Sequence, residues 1–266
     1  MRRISSRQNP LVARFRELAR GRGPDGAVLL DGEHLVEEAL DARVELETVA
    51  FAERVIDSRA DTLVARVERT GADLVRGPDQ VIAAMSPARQ STGIVAIARV
   101  RTASLEATLQ TQPALVLVLA GIQDAGNVGA IIRAADGCGA TGVIATEGTA
   151  DPFGWKALRG AMGSTFRMPT ATKQPLIPTI DRLKAAGIAV LATVPRDGPS
   201  LPDTNLTRPV ALLLGSEGAG LADDLIASAD QRITVPMRPP VESLNVAITA
   251  AVILYEASQQ RRRAGR

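Results

Sequence analysis

The chain has 266 residues, 45% of them hydrophobic and only 2% aromatic, with 31 basic against 29 acidic side chains. That length suits two domains or one large α/β unit, and any core must be built from Ala, Val, Leu and Ile. A single histidine (His34) and a single cysteine (Cys138) exclude a Cys/His zinc site, an intrachain disulfide and a two-histidine metalloprotease helix.

Only Lys156, Lys173 and Lys184 are lysines, and none follows a glycine, so no P-loop is present. The other 28 basic residues are arginines, whose planar fork suits phosphate; a GC-rich genome would give the same bias. Residues 1–25 hold seven arginines against Glu17 and Asp25, and the chain ends Arg261-Arg262-Arg263-Ala264-Gly265-Arg266. Two basic ends on a near-neutral body read as contact points for a polyanion. A solvated, fraying end accounts equally well for the second. Met1-Arg2-Arg3-Ile4 opens no apolar leader, and the longest apolar run, Ala114 to Ala120, falls far short of the ~20 residues of a membrane helix. The expectation is a cytoplasmic protein without membrane partners.

In chain order, Asn9-Pro10 opens a short helix with Leu11, Phe15 and Leu18 on one face. Gly21 to Gly26 breaks it. A strand over Ala27–Leu30, a helix over Glu33–Leu40, a strand over Leu46–Phe51 and an amphipathic helix over Asp57–Thr70 follow. Gly93–Ala98 is the last strand of this small α/β region. The polar stretch 99–113, closed by Pro113, holds the domain boundary. From Ala114 the pattern becomes regular. Ala114–Ala120 is a continuous apolar run, as in a strand covered on both faces. Further strands are expected at Gly142–Thr146, Ile188–Thr193, Val210–Leu214 and Arg232–Val235. Helices begin at Asn127, read as an N-cap, near Ile180 and Asp223, and finally at Ser243. Helices alternating with apolar strands imply an α/β fold with a parallel sheet.

Gly137-Cys-Gly139-Ala-Thr-Gly142 matches a dinucleotide fingerprint only as a string. It follows a helix and precedes a strand, the reverse of the order phosphate binding needs, and reads as a helix C-cap and turn. Three other segments sit just beyond strand ends, where open α/β sheets bind ligands. The first contains Asn127, Gly129 and Arg133. The second is the turn Gly215-Ser-Glu217-Gly218-Ala-Gly220, whose glycines can offer backbone amides to a ligand. The third is Val235-Pro236-Met237-Arg238-Pro239-Pro240-Val241-Glu242-Ser243-Leu244-Asn245-Val246. Each alone is equally an ordinary capped helix or loop.

In order and spacing, these segments closely resemble the three motifs of the SpoU (TrmH-like) RNA 2′-O-ribose methyltransferases of the SPOUT class. Asn127, Gly129 and Arg133 match the first motif, Gly215, Glu217, Gly218 and Gly220 the second, and Val235, Pro236, Met237, Ser243, Leu244, Asn245 and Val246 the third. Pro239 stands where the family usually has glycine. Ser5, Asn9-Pro10, Leu30-Asp-Gly-Glu33 and Gly93-Ile-Val-Ala resemble the L30e-like substrate-binding domain that many members carry.

The resemblance implies an L30e-like RNA-binding domain with a basic N-terminal helix over residues 1–105. A catalytic domain of α/β knot type, with a deep trefoil knot, would span 106–266. It implies S-adenosyl-L-methionine as cofactor, with Thr193, Gly215, Gly220, Val235, Met237 and Leu244 as its contacts. Asn127, Arg133, Glu217, Ser243 and Asn245 are the implied catalytic residues. It further implies a metal-free homodimer acting on RNA, ribosomal (23S) RNA foremost. Transfer RNA, or a non-catalytic RNA-binding or ribosome-assembly role for the same fold, are the alternatives. The dinucleotide-dependent dehydrogenase reading fails on the reversed glycine segment.

Overall fold

Consecutive residues along the central strands are buried on opposite faces, so every sheet here is covered on both sides. The computed structural model describes residues 1–56 and 61–265, which divide into two compact units. The first comprises Met1–Arg101 and Phe153–Phe166, the second Thr102–Pro152 and Arg167–Arg266.

In the first unit, β1 (Arg2–Arg3), β2 (Ala27–Asp31), β3 (Glu45–Ala52), β4 (Asp73–Gly77) and β5 (Ile94–Arg99) form one mixed sheet of order β1-β4-β3-β5-β2. Val28, Leu30, Val49, Phe51, Ile94 and Ala96 belong to one core. Their neighbours Leu29, Ala50, Val95 and Ile97 belong to the other. This alternation is the two-residue period of a strand used twice. The first helix is Pro10–Leu18, capped by the Asn9 side chain, and it buries Val12 with Phe15 and Leu18, whereas the expected Leu11 is only partly covered. The helix expected from Asp57 is described over Asp61–Glu68, and residues 57–60 lie outside the described residues.

The N-terminal arginines are largely spent within this unit. Arg2 pairs with Asp73 at 2.6 Å, Arg3 with Glu53 at 2.9 Å and Arg14 with Glu47. Arg7 and Arg16 donate to the Gln80 and Ala84 carbonyls. Three of the seven arginines expected to form a basic arm are therefore ion-paired within their own fold.

In the second unit, β6 (Leu115–Leu119), β7 (Gly142–Thr146), β8 (Thr170–Gln174), β9 (Ala189–Thr193), β10 (Val210–Leu214) and β11 (Gln231–Ile233) form an all-parallel sheet. Its order is β11-β9-β10-β6-β7-β8. All five residues of β6, β7 and β10 are buried, which explains their uninterrupted apolar runs. The Ala125–Cys138 helix ends at Gly139 in the left-handed conformation (φ 79°), as expected for a C-cap. It packs against the terminal helix Val246–Ala264. Among the described residues no helix is long and apolar enough to cross a membrane.

Arg261 is neither frayed nor free for a polyanion. Its guanidinium donates to four carbonyls: Leu206 (3.0 Å), Pro113 (2.7 Å), Ala114 (2.7 Å) and Arg208 (3.1 Å). Burial lowers its pKa from the ordinary arginine value. Gln260 adds bonds to the Thr204 carbonyl and the Leu206 amide. The last turn of the chain thus ties together the segments that lead into β6 and β10. Arg261→Met, which leaves those carbonyls without their charged donor, is expected to cost about 3 kcal/mol in urea unfolding. Arg262→Met, on an exposed side chain, should stay within about 0.5 kcal/mol of the parent.

Candidate functional site

From β6 the chain runs outward to β7, whereas from β10 it runs to β11 on the opposite side of the sheet. The crevice beyond the C-terminal ends of this adjacent pair is therefore a topological switch point, where open α/β sheets take their ligands. The loop leaving β6 is closed by Asp124, whose carboxylate accepts the Asn127 amide at 2.9 Å and caps the Ala125–Cys138 helix. Asn127 was expected to be that cap. It stands three residues further on, in the first turn, because Asp124 has already taken the free amide. Its side chain is left to reach across the crevice.

Asn127 Nδ2 donates to Glu217 Oε1 at 2.5 Å, and Asn127 Oδ1 accepts from Asn245 Nδ2 at 3.1 Å. Asn245 is itself the N-cap of the terminal helix, its Oδ1 accepting the amides of Ala247 (2.9 Å) and Ile248 (3.3 Å). The cap fixes which end of the Asn245 amide is oxygen. That choice makes Asn127 Oδ1 the acceptor and Asn127 Nδ2 the donor, so Glu217 must present an acceptor oxygen. The helix expected to begin at Ser243 starts at Val246 instead, and Ser243 lies in the loop before it.

Beside this network is a cavity of about 500 Å³. Thr193, Gly215, Gly220, Val235, Met237 and Leu244 all line it, together with Glu217, Ser243 and Asn245. Neither Asn127 nor Arg133 is among its lining residues. Arg133 is exposed and makes no ion pair or side-chain hydrogen bond among the described residues. The Thr193 hydroxyl is committed to the Leu213 carbonyl at 2.9 Å. Sequence reasoning passed over Val194, Pro195, Ile226, Ile233, Thr249 and Ile253, which supply further wall. Ile233 and Ile253 sat on expected elements, but only the strand order turns them toward this space.

The glycine turn has a steric cause. A Cβ on Gly215 would stand 2.4–2.6 Å from the backbone of Gly220 and Leu221. The turn doubles back on itself, with the Gly220 amide donating to the Ser216 carbonyl at 3.0 Å. Gly218 and Gly220 hold positive φ (86° and 68°), where other residues are strained. Among the described residues no group of three or more His, Cys, Asp or Glu could hold a metal ion.

Residues 114–255 match the model of the SpoU rRNA methylase family. An uncharacterized tRNA/rRNA methyltransferase of Synechocystis is 35% identical over 97% of this chain and 93% of its own. The chain belongs to the SpoU rRNA methylase family. The 23S rRNA (guanosine(2553)-2′-O)-methyltransferase RlmP of Bacillus subtilis is 31% identical over 96% of this chain and 98% of its own. The AdoMet-bound rRNA methyltransferase of Sinorhizobium meliloti superposes with a TM-score of 0.85 at 28% identity, covering 97% of each chain. The SpoU span begins at Ala114, at the head of β6, and contains Asn127, the Gly215–Gly220 turn and the Val235–Val246 segment.

The cap role of Asn245 is separable from its link to Asn127. Asn245→Ala loses both and is expected to destabilise by about 1 kcal/mol in denaturant unfolding. Asn245→Asp keeps a capping oxygen and should recover most of that loss.

Proposed function

We propose that the chain is an S-adenosyl-L-methionine-dependent RNA 2′-O-ribose methyltransferase acting on 23S ribosomal RNA in the cytoplasm. The observation that carries this reading is the convergence of the Gly215–Gly220 turn and the Val235–Val246 segment on one cavity, with Asn127 of the third segment hydrogen-bonded to Glu217 and Asn245 at its side. The names of the relatives, rRNA 2′-O-methyltransferases among them, and the AdoMet-bound neighbour point the same way.

The cavity suits a nucleoside cofactor. Its volume falls within the range of small-molecule sites, and its walls combine apolar side chains with main-chain polar groups from a glycine turn. Gly215, Gly220, Val235, Met237 and Leu244 would hold the cofactor, with Thr193 contributing main chain and methyl group. Bound there, the cofactor supplies an electrophilic methyl group.

The 2′-hydroxyl that accepts a methyl must lose a proton, and alignment of the two reactants carries most of the acceleration. Asn127, Ser243 and Asn245 orient the ribose and the loop around it. Glu217, held as an acceptor by Asn127, or a phosphate oxygen of the RNA takes the proton. Arg133 is no base, since a guanidinium stays protonated; it clamps the substrate phosphate.

Arg133 reaches this site in a homodimer. Ala130, Ile248, Val252 and Tyr255 line a shallow apolar groove on the two packed helices, and Ile248 and Tyr255 are more than half exposed. Arg133 lies one helical turn from Ala130 on the same face. Burying this groove against a second copy carries Arg133 to the partner's cavity. The five-stranded mixed sheet covered on both faces supports an L30e-like substrate-binding domain within residues 1–105 and a catalytic domain within 106–266. The position of β10 between β9 and β6, with the later Val235–Val246 segment returning to the same crevice, supports the trefoil knot.

Incubation with tritiated cofactor and separated 23S, 16S and transfer RNA should label 23S RNA at a ribose 2′-oxygen. Label in transfer RNA alone would reassign the substrate. Absence of cofactor binding by calorimetry would leave a non-catalytic RNA-binding factor. Arg133→Ala should lower kcat/KM by about 10²-fold or more with cofactor affinity retained. Val252→Glu should convert a dimer to a monomer by light scattering and abolish activity, whereas mixed Arg133→Ala and Gly215→Ala subunits should regain part of it.

A further inference from the structure

The first unit has a cavity of its own, about 720 Å³ in volume and lined only by residues of that unit. Two of the chain's four phenylalanines, Phe153 and Phe166, are in its wall. The Arg22 guanidinium lies 4.7 Å from the centre of the Phe153 ring. Thr165, also in the wall, is 3% exposed, and its hydroxyl has no hydrogen-bond partner among the described residues. A buried hydroxyl in that state costs stability unless something else supplies the bond.

Charge distinguishes the cavity further. Arg99 in its wall pairs with Asp25 (3.5 Å) and Glu45 (3.6 Å), which line the cavity too, and with Glu47 (3.2 Å), which Arg14 shares. Arg43 and Arg101, also in the wall, are exposed and take no ion pair among the described residues. An aromatic wall, a pair of uncommitted guanidinium groups and an unsatisfied hydroxyl are the three elements that hold an unpaired nucleotide. The ring stacks a base, the arginines take phosphate, and the hydroxyl meets a base edge. An apolar peptide would leave both arginines and the hydroxyl without partners.

We propose that this cavity binds one unpaired nucleotide of the RNA substrate, other than the methylated one, with its base against Phe166 and its phosphate on Arg43 and Arg101. The proposal rests on the RNA methyltransferase reading and deepens it by naming where the first unit reads its substrate.

Ultraviolet crosslinking of the full chain to deproteinised 23S RNA, followed by mass spectrometry, should place adducts on peptides carrying Phe153 or Phe166. The double variant Arg43→Gln/Arg101→Gln should raise KM for RNA roughly tenfold, with less dependence on salt and with kcat and cofactor affinity unchanged. Phe166→Ala should raise KM by roughly the same factor. Should its melting curve show a loosened fold, the arginine pair, on exposed side chains, still decides the matter. Adducts confined to residues 102–152 and 167–265, with KM unchanged in the double variant, would overturn the proposal while leaving the methyltransferase intact. A wild-type chain that neither binds RNA nor transfers methyl would instead overturn the underlying reading.

Discussion

The second unit depends on the two hydrogen bonds of one amide, Asn127, which joins the loop after β6 to the glycine turn after β10 and to the cap of the terminal helix. Both bonds are exposed, and each contributes only about 1 kcal/mol. They can set geometry because the parts they join are already immobile. Asp124 holds the first turn of its helix, and the Gly220 amide closes the glycine turn on the Ser216 carbonyl, with no room for a side chain at Gly215. The terminal helix is anchored twice, by Asn245 at its start and by Arg261 sixteen residues later, a span of about 24 Å. The Arg261 clamp also draws together the segments leading into β6 and β10, the strands whose far ends frame the cavity. Register at one end of the sheet and site geometry at the other are thus parts of one construction.

The arginines show how little a total charge says about function. Arg2, Arg3, Arg14 and Arg99 are neutralised by neighbouring carboxylates, and Arg261 is spent on backbone carbonyls. Others have no such partner, among them Arg133, exposed on its helix, and Arg43 and Arg101 around a pocket that two phenylalanines also line. The near-neutral sum conceals a division between structural and available cations. Scarce aromatics take on the same meaning, since Phe15 and Phe51 fill core while the buried Phe153 and the partly buried Phe166 also line a cavity.

Much of the fold was legible because burial on both faces writes continuous apolar runs. β6, β7 and β10 were readable for that reason, and Asn9 with Pro10 announced the first helix. The missed elements lack that signature. β8 is polar, stands at the edge of its sheet and buries only Thr170 and Ala171, while β1 is two residues long at the edge of the other. The Trp155–Ala161 helix and its flanks fell within the expected second domain, yet they cluster with the first unit. The cap exchange between Asn127 and Asp124, and that between Ser243 and Asn245, were errors of a few residues between equally capable side chains. Capping preference ranks residue types but does not choose among near neighbours.

By itself, the sequence determined the α/β class, the strands buried on both faces and the three segments that carry the family's residues. Each of these is a local matter of period, side-chain type or steric demand, as at Gly215. Only the tertiary structure decided that Asn127 meets Glu217, 90 residues away, and Asn245, 118 residues away. It also decided that Arg261 reaches four carbonyls in two separate segments and that Arg133 stays outside the cavity lined by the other two motifs. Such partners follow from strand order, and the placement of β10 between β9 and β6 leaves no periodic trace along the chain.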